Sequence, residues 1–119
     1  MLIDFSSRPP LPEFSPAALH LQNYRRVYRA SETLSAGSKA TQGLDGYLET
    51  YERLGTRHVV LKARDVSTTF GFKIANELVS DFVKTHGPRF VGFAGVDPYR
   101  ADAVEAFDHA VNHLGLRGL

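Results

Sequence analysis

The run Phe90-Val91-Gly92-Phe93-Ala94-Gly95-Val96 constrains the fold most, because it is apolar at every side chain and too short for an ordinary helix. A strand covered on both faces reads as a continuous apolar run, whereas a strand with one wet face alternates. Helical period stands on both sides of it. Ahead, Ala75, Leu78, Val79, Phe82 and Val83 share one helical face over residues 71–86, closed by Gly87-Pro88. Behind, Asp97 and Pro98 read as an N-cap and a first helical position, and Val104, Phe107, Ala110, Val111 and Leu114 mark a second apolar face over residues 101–114, ended by Gly115.

The same succession recurs upstream. Leu44, Tyr47, Leu48, Tyr51 and Leu54 follow helical spacing, Gly55 is the expected stop, and His58-Val59-Val60-Leu61 opens a buried strand whose far end turns polar at Lys62 and Arg64. Met1 to Phe5 reads as another short strand, and Leu116 to Leu119 as the start of a fourth. Pro9, Pro10, Pro12 and Pro16 force a loop after the first strand, since proline fits neither a helix interior nor a central strand. Ser15-Pro16 then predicts a helix over residues 17–30, with Leu19, Tyr24, Val27 and Tyr28 inward, followed by a polar loop to Gly43.

Strands near 1–5, 58–63, 90–96 and 116–119 thus alternate with helices in a single α/β domain. Parallel strands need crossovers, and each link is long enough to hold one. Two architectures fit: the N-terminal portion of a (β/α)8 barrel, or a small open parallel sheet. A whole barrel takes about 250 residues, against 119 here. With residues 115–119 reading as the start of a strand, the expectation is an incomplete barrel whose coding sequence continues with further strand–helix units.

Composition narrows the chemistry. Cysteine is absent, so disulfides, thiolate metal sites and thiol nucleophiles are excluded, and a cytoplasmic setting is expected. Fourteen basic and 13 acidic side chains are interspersed at a net charge of +1, which argues against a nucleic-acid partner. No apolar run approaches the roughly 20 residues of a membrane span. The N-terminus lacks the basic-then-apolar order of a signal peptide. Neither a P-loop nor Gly-x-Gly-x-x-Gly occurs. The expected partner is a small-molecule substrate, with homo-oligomerisation left open.

Barrel active sites gather at the C-terminal ends of the strands. That geometry selects Ser6, Arg8, Lys62, Arg64, Asp65 and Asp97. Arg8, Arg64 and Lys62 are the candidate catalytic cations. Asp4, Ser6 and Asp65 are candidate substrate-binding residues. Asp4, Ser6 and Arg8 alternate, so they can share one side of the first strand, and an inward Asp4 needs a partner such as Arg8 or Lys62. Asp97 reads mainly as a helix cap.

The histidines read as bystanders: His109 and His113 outward on a helix, His58 at a strand start, His86 in a last helical turn. His20, in the first helix after the proline loop, is mainly a bystander too, with folding over the site as the lesser alternative. Tyr47 and Tyr51 read as core or interface residues, as do Tyr24 and Tyr28. Arg25, Arg26 and Arg29 read as a solvated face or a partner contact.

Leu2-Ile3-Asp4-Phe5, Val59-Val60-Leu61 and above all the segment Pro88 to Pro98, followed by a helix and Gly115-Leu116-Arg117-Gly118, resemble the amidohydrolase-related (amidohydrolase 2) family of metal-dependent-hydrolase-like (β/α)8 barrels. The resemblance spans essentially the whole chain and is most specific over residues 88–119. That family opens apolar-Asp-x-His-x-His, and the two histidines bind a divalent metal. Their positions here are Ser6 and Arg8, so the chain resembles a subgroup without the pair, opening Asp-Phe-x-x-Arg-Pro-Pro. No metal ligand is expected within residues 1–119, a divalent metal held by later strands stays open, and the cofactor is otherwise unknown. The resemblance implies hydrolysis of a C–N or C–O bond, or non-oxidative decarboxylation, of a small carboxylated or carbonyl substrate. Arg8, Arg64 and Lys62 would then orient the anion and stabilise developing negative charge. The alternatives are a catalytically degenerate barrel and a small α/β binding or interaction domain.

Overall fold

The structure, a computed structural model, describes residues 1–14 and 43–119. Its elements in chain order are β1 (Leu2–Ser7), a 3-10 turn (Pro12–Phe14), α1 (Leu44–Arg53), β2 (Thr56–Lys62), β3 (Arg64–Val66), α2 (Ser67–Phe70), β4 (Phe72–Ile74), α3 (Asn76–His86), β5 (Phe90–Phe93) and α4 (Ala103–Asn112). The predicted helix over 17–30 lies outside the described residues, with His20, Tyr24, Tyr28, Arg25, Arg26 and Arg29, and so does the loop that follows it.

β1, β2 and β5 form a parallel sheet in that order. The α/β class and the parallel pairing agree with the sequence reading. β2 lies in the middle, and its Val59 and Leu61 are wholly buried. They join Ala63, Val79, Phe82, Phe90, Ala94, Ala110 and Leu116 in one apolar cluster, on which Tyr47 and Leu48 of α1 and Phe107 of α4 also pack. Beyond α4 the chain returns alongside β5. Arg117 N–H donates to the Gly92 carbonyl at 2.8 Å and Ala94 N–H donates to the Gly118 carbonyl at 2.7 Å. Residues 116–119 thus lie where a fourth strand was expected, held by two hydrogen bonds but assigned to no strand.

The other face of the sheet is only partly covered: Val60 of β2 is buried there, while β1 leaves apolar side chains exposed. Ile3 and Phe5 are 46% and 58% exposed. The Phe5 ring meets Phe93 edge-on with centroids 5.6 Å apart, so β1 and β5 lean together across β2.

Several expectations need correction. The helix predicted over 71–86 begins only at Asn76. Phe72 and Ile74 instead alternate with exposed Lys73 in β4, which pairs antiparallel with β3. Gly71 permits that turn through its positive φ of 67°. Asp97 does not cap α4. Arg100 N–H takes the Asp97 carbonyl and Ala103 N–H takes the Arg100 carbonyl, so turns precede α4. The residue flanking α4 is Asp102, whose carboxylate is held by Arg100. Of the α4 face expected inward, Phe107, Ala110 and Leu114 do pack on the core, whereas Val104 in the first turn is 78% exposed. β1 runs past Phe5 to Ser7, and the β5 ladder stops at Phe93 rather than Val96.

Candidate functional site

Parallel strands place their C-terminal ends along one edge. Here that edge carries Ser6 and Ser7 of β1, Arg8 just beyond, Lys62 closing β2 and Arg64 opening β3. These five side chains, with Phe14 and Ile74 as an apolar floor, line a small cavity of about 40 Å³. The proline turn helps shape it: Pro9 and Phe14 are fully buried, and Phe14 packs edge-on against Phe82 of α3. Arg8 and Arg64 are exposed, and Lys62 is half-buried with its ammonium 4.7 Å from the centre of the Phe5 ring. Among the described residues neither arginine has a carboxylate within ion-pair distance. The structure therefore brings Ser6, Arg8, Lys62 and Arg64 together.

Asp4 stands apart from them. Its expected partners were Arg8 or Lys62. Instead Oδ2 accepts from the Tyr51 hydroxyl at 2.6 Å, and Oδ1 accepts from the Ser6 N–H at 3.0 Å. The register of β1 shifts between Asp4 and Ser7, which breaks the simple alternation and turns both toward α1. Ser7 Oγ lies 2.7 Å from the Tyr47 hydroxyl and also within hydrogen-bonding reach of Tyr51. Tyr51 has one hydrogen, committed to Asp4. Proton counting then orders the chain: Tyr47 donates to Ser7, Ser7 to Tyr51, and Tyr51 to Asp4. Burial pushes both phenols above the usual tyrosine value; the carboxylate of Asp4 raises Tyr51 further, and hydrogen bonding with Ser7 offsets part of each rise.

Asp65 also has a structural partner set. It is 7% exposed, accepts from the Ser67 hydroxyl at 2.6 Å, and pairs with Lys73 of β4 at 3.4 Å. Burial pushes its carboxyl up, but hydrogen bonds from Ser67 and the Lys73 charge outweigh burial and hold it below the ordinary value. Asp97, 1% exposed, reaches the same turn: Oδ2 accepts from Thr68 N–H at 2.7 Å and Oδ1 from Tyr99 N–H at 3.0 Å. Hydrogen bonding from Thr68 holds its carboxyl low as well. Asp65 ties the β3–α2–β4 hairpin together from within, and Asp97 pins it to the segment after β5.

Ser7, Phe14, Tyr47 and Tyr51 were not among the sequence candidates. The one available signal was the Tyr47–Tyr51 pair, since a buried phenol usually seeks a polar partner. The four residues from Asp4 to Ser7 gave no sign of the register shift.

The resembling family's metal positions carry a hydroxyl and a guanidinium here, a donor set that does not suit a divalent ion. Among the described residues no three His, Asp or Glu side chains gather as a metal-holding group. No helix among them is long and apolar enough to cross a membrane.

Scans against protein-family models, curated proteins and solved structures each found no match.

Proposed function

We propose that the cavity at the C-terminal edge binds the carboxylate head of a small substrate, within an amidohydrolase-like (β/α)8 barrel. The observation that carries this reading is the convergence of Arg8, just beyond β1, with Lys62 and Arg64 of the β2–β3 junction on one small cavity without neutralising carboxylates among the described residues. A volume of about 40 Å³ compares with the ~30 Å³ that a water molecule occupies in the liquid, so it admits a head group and not a whole substrate. Guanidinium forks suit the two oxygens of a carboxylate, and the Ser6 hydroxyl can add a donor. In hydrolysis or decarboxylation the same cations would stabilise the negative charge that grows on the reacting carbonyl.

Three features support the barrel. The parallel order is sequential, the chain beyond α4 continues beside β5, and Ile3 and Phe5 are exposed on the face away from the helices. In a closed barrel that face, with Phe5 and Phe93 leaning together, would form the interior, filled by side chains from further strands. The cysteine-free sequence suits a reducing compartment.

A second reading, a barrel or small α/β domain that binds without catalysing, is favoured by one observation. Asp4 and Asp65 are tied to partners, and among the described residues no histidine or carboxylate lines the cavity as a general base.

The test is a titration of the protein with small mono- and dicarboxylates, followed by amide chemical shifts, then a turnover screen on esters and amides of the acids that bind. Shifts at Ser6, Arg8, Lys62 and Arg64 that vanish in Arg8→Ala and Arg64→Ala support the site. Saturable binding with no turnover selects the second reading. Absence of shifts at this edge ends both.

A further inference from the structure

The opposite edge of the sheet holds a larger groove of about 590 Å³, between α1 and the end of α3. Its apolar wall includes Leu48, Pro88 and Phe90. Its polar lining includes Arg57 and His58 of β2, and Arg89 at the entry to β5. Glu52 and His86 complete its charged and titratable groups.

Two polar atoms in this lining stand without partners. Thr56 is 2% exposed, and neither its Oγ1 nor the buried Nδ1 of His58 has a hydrogen bond. The guanidiniums of Arg57 and Arg89 also lack a carboxylate within ion-pair distance among the described residues, although Glu52 lines the same groove. Among the described residues, Arg57 Nη1 donates to the Met1 sulfur at 3.9 Å.

We infer that this groove is a binding site for an organic phosphate with a flat apolar body. Two guanidiniums without a carboxylate partner among the described residues match the double charge of a phosphate. The wall of Leu48, Pro88 and Phe90 suits a ring. Glu52 opposes the anion and tempers its affinity. The site is independent of the carboxylate cavity at the other edge, and lies away from the strand ends where chemistry is proposed, so its occupant would stabilise or regulate rather than react.

Phenyl phosphate is the probe, titrated into the full chain with amide chemical shifts as readout, beside benzoate and inorganic phosphate. Phenyl phosphate is expected to give saturable shifts at Thr56, Arg57, His58 and Arg89 with Kd below about 1 mM. Arg57→Ala with Arg89→Ala should weaken it about tenfold or more. Glu52→Gln should tighten it by roughly two- to fivefold, a gain that a purely structural Glu52 would not produce. Lack of saturation, or affinity indifferent to both arginines, overturns the site. Equal affinity for benzoate overturns the phosphate assignment, and equal affinity for inorganic phosphate overturns the role of the apolar wall.

Discussion

Tyr51 of α1 donates its phenolic hydrogen to Asp4 of β1 at 2.6 Å, joining two elements that stand on opposite sides of the proline loop in sequence. Because Ser7 and Tyr47 feed the same chain of donors, this one carboxylate orders four side chains. Tyr51→Phe keeps the ring packing against Tyr47 and Phe90 and removes only the polar end. The expected loss is about 1.5 kcal/mol, the low end for a bond to a charged acceptor, since half-buried Asp4 can recruit water. Urea denaturation of Tyr51→Phe, Asp4→Asn and the double variant checks it. Strict additivity of the two losses would show that the residues are not coupled.

Acid should loosen the hairpin first. Asp65 and Asp97 are both held below the ordinary carboxylate range in the folded chain. A depressed folded value means the unfolded chain binds protons more readily. The stabilisation is therefore complete above the unfolded value near 3.9 and is lost as pH falls below about 4 toward the folded values. Melting temperature should drop across that window in the wild type. In Asp65→Asn with Asp97→Asn it should start lower at neutral pH and fall less steeply. Parallel curves for the two proteins would refute the assignment.

Gly95 tolerates no side chain. A Cβ there would lie 2.5 Å from both N and Cα of Arg64, which is backbone and cannot rotate away. The Gly95 N–H also donates to Asn76 Oδ1 at 2.8 Å, and its carbonyl accepts from Asn76 Nδ2 at 3.2 Å. Gly95→Ala should cost about 3 kcal/mol, the upper part of the range for overpacking. It should also perturb amide shifts at Arg64 and Asn76. A loss under about 0.5 kcal/mol would mean that the two segments separate easily.

Lys62 separates binding from stability. Its ammonium over the Phe5 ring contributes about 0.5–1 kcal/mol. Methionine in its place keeps the stem's packing and recovers much of that through contact with the ring. Lys62→Met should therefore change unfolding free energy by less than about 1 kcal/mol. Carboxylate binding at the C-terminal edge should still weaken about tenfold. Unaltered carboxylate affinity would remove Lys62 from the site.

The parallel core was legible because continuous apolar runs and helical periods leave few other ways to bury Val59, Leu61 and Phe90. Strand ends then selected Ser6, Arg8, Lys62 and Arg64, and these do line one cavity. The hairpin was hidden because Phe72, Ile74 and Ala75 fit a helical stripe and a short strand about equally; tertiary pairing with β3 decided. Asp97 misled because Asp-Pro is a strong local helix start, whereas its carboxylate is engaged by Thr68 and Tyr99. Asp4 was misassigned because strict alternation assumes an unbroken register, and β1 has a shift.

β1 has a strand on one side only among the described residues, and Ile3 and Phe5 sit exposed along it. An open edge beside uncovered apolar side chains is a template for another chain. Purified at these 119 residues, the protein faces a contest between first-order folding and second-order self-association. Dilution favours folding and concentration favours assembly. Yield from refolding should consequently be governed by protein concentration more than by the choice of buffer.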